Sequence, residues 1–134
     1  MTRRLALGLP AALLAAIGLG AASRAATKAE PKLAHMVFFT LKDHSKESRE
    51  AFIALAQKYL SGHDGVASFS VGAIAQDVVE PVSVRDFDVA LHIVFNSKEA
   101  GAAYLKNPRH DSFVAEGKDT WTKVRVFDSY LATP

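Results

Sequence analysis

The chain has 134 residues, no cysteine, and 16 basic against 14 acidic side chains. That length allows one domain, and the missing thiol excludes disulfides, thiolate metal sites and a cysteine nucleophile. Three of the basic residues, Arg3, Arg4 and Arg24, precede residue 27 without an acid beside them, so the remainder holds 13 bases against 14 acids. Such a near-neutral balance leaves no electrostatic footprint for nucleic acid.

Met1 to Arg4 is basic, Leu5 to Leu19 almost wholly apolar, and Gly20 to Ala26 rich in small residues. This order predicts a secretory signal peptide over residues 1–26, because its apolar core is short of the roughly twenty residues of a membrane span. An exported protein, periplasmic or extracellular and without membrane attachment once the leader is removed, is expected. Arg3 and Arg4 ahead of Leu5 partly resemble a twin-arginine signal, and ordinary secretion fits as well. Residues 27–32, with Pro31, read as a linker, and the domain as 33–134.

Leu33 to Leu41 is a β-prone run, with Leu33, His35, Val37, Phe39 and Leu41 on one face and Ala34, Met36, Phe38 and Thr40 on the other. Both faces are mostly apolar. Ser45 is placed to cap a helix with Glu47 and Glu50 in its first turn and Phe52, Leu55, Ala56 and Tyr59 on one side, stopping at Gly62. Val66 to Ala75 alternates as a strand with Ala67, Phe69, Val71 and Ala73 together, and Gln76 to Asp86 forms a hairpin loop around Pro81. Phe87 to Phe95 gives a third strand that groups Phe87 with Val89, Leu91, Ile93 and Phe95, and points His92 the other way.

Ser97 caps a second helix to about Lys106, ended by Asn107 and Pro108, with a further turn or two from His110 to Gly117. Trp121 to Leu131 closes the domain, alternating Val124, Val126, Asp128 and Tyr130 against Lys123, Arg125, Phe127 and Ser129. The sum is an α+β ferredoxin-like fold, β-α-β-β-α-β, with a four-stranded antiparallel sheet and helices on one face. Strands apolar on both sides need a second cover, which predicts a homodimer formed sheet against sheet, a dimeric α/β barrel.

His35, His44, His63, His92 and His110 include no i,i+4 pair on a helix and sit in no ligand motif, so neither a metal nor a cofactor is expected. Glycine-rich phosphate loops and a nucleophile elbow are also absent from the sequence.

Ala34 to Val37, Leu41 to Asp43, Asp88, Phe95 to Ser97, Tyr104 with Pro108 to His110, and Trp121 before Val126 to Asp128 together resemble the stress-responsive dimeric α/β-barrel (Dabb) family, from about Leu33 to Leu131. The family includes stress-induced proteins and olivetolic acid cyclase, which closes a polyketide ring by an aldol step without metal or cofactor. The resemblance implies His35, Tyr104 and His110 as site residues. The cyclase's third-strand histidine falls on Val89, a departure that bears on substrate.

On that reading His110 is the general base, Tyr104 the hydrogen-bond donor to a developing enolate, and His35 an orienting group. Val37, Phe39, Phe52, Val89 and Leu91 would line a pocket for a small apolar or aromatic carbonyl compound. The reaction would be cyclisation or isomerisation. Two alternatives stay open: a non-catalytic stress-associated binding or structural homodimer, in which His110 and Tyr104 bond each other or Asp128, and a cofactor-free monooxygenase, on fold analogy. Asp128 reads as structural and Arg109 as a solvated side chain.

Overall fold

The structure, a computed structural model, describes Gly20 and residues 28–132. The expected signal peptide therefore lies, apart from Gly20, outside the described residues. In chain order the elements are β1 (Leu33–Leu41), α1 (Lys46–Leu60), β2 (Val66–Ala73), β3 (Val89–Phe95), α2 (Lys98–Leu105), α3 (Pro108–Gly117) and β4 (Trp121–Tyr130). The four strands form one antiparallel sheet in the order β2-β3-β1-β4. This is the expected ferredoxin-like fold, with one helix more than the sequence pattern counted.

Local chemistry sets the helix ends. Ser45 Oγ accepts from Ser48 N–H at 3.1 Å and Ser97 Oγ from Ala100 N–H at 3.1 Å, each satisfying a first-turn donor. Asn107 Oδ1 accepts from Arg109 N–H at 2.9 Å, and Pro108 fills the first helical position. The proline that stops α2 is thus the preferred opening residue of α3, so the expected turn or two is a ten-residue helix. At the other end of α1, Gly65 at φ 76° starts β2 so close to α2 that a Cβ there would lie 2.6 Å from Ala100 Cβ.

Alternation in β1 decides the layers. Val37, Phe39 and Leu41 are buried beneath the helices together with Val89, Leu91, Ile93 and Phe95 of β3, and meet Phe52, Ala56 and Leu60 of α1 and Phe113 of α3. Phe39, Phe52, Phe113 and Trp121 form the aromatic centre, with ring centroids 4.8 Å apart for Phe39 and Phe52 and 5.5 Å for Phe39 and Trp121. Phe38 occupies the helix-free face, edge-on to Phe87 at 5.0 Å and Phe127 at 5.8 Å.

Two expected face assignments, those of Ala67 and Phe87, are corrected, and the start of β4 departs from simple alternation. The pairing steps from Thr40 opposite Lys123 to Leu41 opposite Trp121, so Thr122 is an extra residue and Trp121 turns in with Val124. A second shift, between Val66 and Ser68, leaves Ala67 exposed and puts Val66 on the helix side with Phe69. Phe87 precedes β3 and packs on Phe38, away from Val89 and Leu91.

The reason for that last reversal is Asp88, only 2% exposed. Its carboxylate accepts from Leu41 N–H at 2.8 Å, His44 Nδ1 at 2.9 Å and Arg49 Nε at 3.0 Å, tying the end of β1, the following turn and α1 to the start of β3. Burial alone would raise this carboxyl group; the Leu41 amide, His44 and Arg49 outweigh it and hold the pKa below its ordinary value. Asp88→Asn should cost ~3 kcal/mol in chemical denaturation, because it leaves Arg49 without its counter-charge. Since the folded-state pKa is depressed, the wild-type contribution is full above pH ~4 and lost as pH falls through the lower folded value, a loss the variant should lack. Equal stability of the two proteins at pH 7 would contradict this role.

Candidate functional site

His35 belongs to the helix-facing set of β1 and stands opposite Ile93 of β3 and Asp128 of β4. The residue is 8% exposed, and Nδ1 lies 2.6 Å from Asp128 Oδ1. A carboxylate only accepts, so Nδ1 carries a proton and Nε2 is the ring atom left for another partner. Asp128, read from sequence as structural, is therefore the group that orients His35. It makes no bond to His110 or Tyr104.

Tyr104 comes down from α2 and is 3% exposed. Its ring packs on Phe95 at 5.1 Å and is surrounded by three imidazoles, His63 at 4.9 Å, His110 at 5.0 Å and His35 at 6.2 Å between centroids. Among the described residues its hydroxyl takes part in no side-chain hydrogen bond. Burial pushes its pKa far above the ordinary phenol value, so the group stays protonated throughout the physiological range.

His110 sits in the first turn of α3, where it is half-buried. That turn is fixed by Arg109, expected to be merely solvated, whose Nη2 donates to the Lys58 and Ser61 carbonyls at 2.9 Å each and so joins α3 to the end of α1. Burial lowers the His110 pKa below 6.5; Asp111 opposes the shift, and His35 and His63 add to it. The ring is consequently neutral at pH 7, the form that can accept a proton. His63, unmarked by any motif in the sequence, is held by a 2.7 Å bond between Nε2 and the Tyr59 carbonyl.

A hollow of about 230 Å³ joins these groups, lined by His35, Tyr104 and His110. Of the expected wall, Val37, Phe39 and Leu91 are present. Phe52 and Val89 are not: both are buried in the core, Phe52 behind Phe39 and Val89 near the end of the sheet. Leu60, Leu105, Phe113, Val114, Trp121, Val124 and Val126 complete the lining. Val124 and Val126 are also exposed, so the mouth opens along β4. A smaller hollow, about 200 Å³, lies on the other side of His35 and Asp128, against Leu33, Phe95 and Gly101. Among the described residues no three His, Asp or Glu side chains are grouped to hold a metal ion.

The Stress responsive A/B Barrel Domain, Dabb, matches residues 33–131. The chain belongs to the Dabb family. Its fold is similar to that of a Dabb protein with a ferredoxin-like fold from Mesorhizobium loti, at 24% identity and a TM-score of 0.64 over 78% of this chain and 100% of that one. A hydroxynitrile lyase from Passiflora edulis shares it at 19% identity and a TM-score of 0.62, over 80% and 98% of the two chains. So does a dimeric ferredoxin-like protein of unknown function from Thermobifida fusca, at 16% and 0.63, over 76% and 92%. A search of curated proteins finds no match.

Within this Dabb chain the three residues singled out from sequence converge on one hollow, and the imidazole held by a carboxylate is His35 rather than His110. The burial of His110 has a measurable consequence. In histidine-selective NMR its titration midpoint should fall below 6.5 and rise toward that value when Tyr104→Ala opens the site to water; a midpoint at or above 6.5 in the wild type would contradict the assigned environment.

Proposed function

We propose that this protein is exported, pairs with a second copy across its helix-free sheet face, and binds a small apolar or aromatic carbonyl compound on which it performs cofactor-independent proton transfer. The observation that carries the reading is a largely apolar hollow in which a protonated phenol and two imidazoles meet. A hollow of about 230 Å³ suits a single aromatic ring with a short substituent, and it favours ligand chemistry over the inert alternative in which side chains fill the space.

His110, neutral at pH 7, removes a proton from the carbon next to the carbonyl group. Tyr104 donates a hydrogen bond to the carbonyl oxygen as negative charge develops there, in surroundings with little water to compete. His35, fixed through Nδ1 by Asp128, presents Nε2 to the substrate and orients it. The proton held by His110 then returns to another carbon in an isomerisation, or to the alkoxide formed by ring closure in an aldol step. The hydroxynitrile lyase of the same fold supports a reading in which this scaffold hosts lyase chemistry.

Export rests on the leader read from residues 1–26. Pairing rests on the uncovered face, where Phe127 is 54% exposed beside Phe38 and Phe87, and it is supported by the Thermobifida fusca protein, a dimer of the same fold.

Proton exchange at carbon tests the chemistry whatever the natural substrate. In D2O the wild type should accelerate deuterium uptake next to the carbonyl of simple aromatic ketones such as propiophenone, followed by NMR. His110→Ala should lower that rate about 100-fold and Tyr104→Phe about 10-fold or more. Because His110 must be neutral, the rate should fall on acidification through a midpoint below 6.5 and hold its plateau to pH 9. A wild-type rate equal to buffer, or a full rate in His110→Ala, would refute the assignment.

A further inference from the structure

The loop between β2 and β3 is cross-linked by its own polar groups and displays its valines to solvent. Arg85 donates to the Val78 and Gln76 carbonyls at 2.7 Å each, Ser83 N–H donates to the Glu80 carbonyl at 3.0 Å, and Ser83 Oγ accepts from Glu80 N–H at 3.1 Å. The loop is thereby held in shape from within. Val79 is 69% and Val82 89% exposed, a costly display for a segment with polar groups to spare.

Its return limb lies on the helix-free sheet face. The Asp86 carbonyl accepts from Thr40 Oγ1 at 2.6 Å, and its carboxylate meets Arg125 Nη2 at 2.5 Å and Lys123 Nζ at 3.4 Å, so the limb reaches across β1 to β4. Val84 closes one side of a hollow with Phe38, Phe87 and Phe127 on that same face. Facing sheets pack about 10 Å apart, so a segment standing on one of them occupies the space into which an incoming sheet must fit.

We propose that the Gln76–Asp86 loop is an arm that clasps the second copy of this chain, with Val79 and Val82 buried against the partner. The inference rests on the sheet-to-sheet pairing proposed above and specifies what that pairing requires. Four strands spaced about 4.8 Å apart and about eight residues long give a flat footprint on the order of 500 Å². A stable interface takes about 800 Å² from each partner, and the arm supplies apolar surface continuous with the sheet toward the difference.

Sedimentation of the full-length domain from 0.1 to 100 μM tests it. The wild type should be dimeric, and the double variant Val79→Asp, Val82→Asp should raise the dimer dissociation constant at least 10-fold with unchanged circular dichroism, while Val79→Leu, Val82→Leu stays close to wild type. Val82→Ser serves as a milder probe and should weaken the dimer in the same direction. If the wild type dimerises and Phe127→Asp dissociates it while the charged loop variant keeps wild-type affinity, the arm is refuted and the sheet pairing stands. A monomeric wild type at 100 μM refutes both.

Discussion

The structure depends on the alternation of β1. This strand is hydrogen-bonded on both edges, to β3 and β4, so its register fixes the faces of three of the four strands at once. A slip by one residue would take His35, Val37 and Phe39 out from under the helices and put Met36 and Phe38 in their place. Burial of large aromatic side chains on the helix side makes that slip expensive, which is why a chain without disulfides can hold a hollow beside its core. The cavity is a consequence of coverage as much as of sequence: α1 and α2 lie over β2 and β3, α3 meets β1 through Phe113 and Phe39, and the helix-facing valines of β4 are left as a rim.

Two carboxylates stabilise this arrangement by different means. Asp88 is buried and saturated, with an amide, an imidazole and a guanidinium all donating to it, and its role is to join the end of β1 to α1 and β3. Asp128 is half-exposed and, among the described residues, has one side-chain partner, His35. A carboxylate in contact with water on one side and with an imidazole on the other can hold the ring in one tautomer without the desolvation cost carried by Asp88. Orientation of His35 and the neutrality of His110 thus arise from separate causes, a hydrogen bond in one case and burial in the other, and the site gains two imidazoles that differ in character.

The order of elements along the chain and both serine caps were legible in the sequence, because period-2 alternation and helix-start residues act locally, whereas the grouping of His35, Tyr104 and His110 was implied by the family resemblance alone. The faces of Trp121, Val66 and Phe87 were not legible, since two bulges and one buried aspartate decided them, and an irregularity of pairing leaves no trace in the pattern of a single strand. Phe52 and Val89 were misplaced for a related reason. Alternation says that a residue points toward the helices, not whether a helix or a hollow meets it there. The partners of Asp128 and Arg109 were equally hidden: a carboxylate and a guanidinium on the surface of a sequence look alike whether they face water or a backbone carbonyl 48 positions away.

Occupation of the hollow by a ligand is observed most directly in a crystal structure of the protein with an aromatic ketone such as acetophenone. Density for the ring between Leu91 and Phe113, with the carbonyl oxygen within hydrogen-bond distance of the Tyr104 hydroxyl, is the predicted result. A ketone seated only on the helix-free face beside Phe38 and Phe127, or a site that stays closed at saturating concentration, would contradict it.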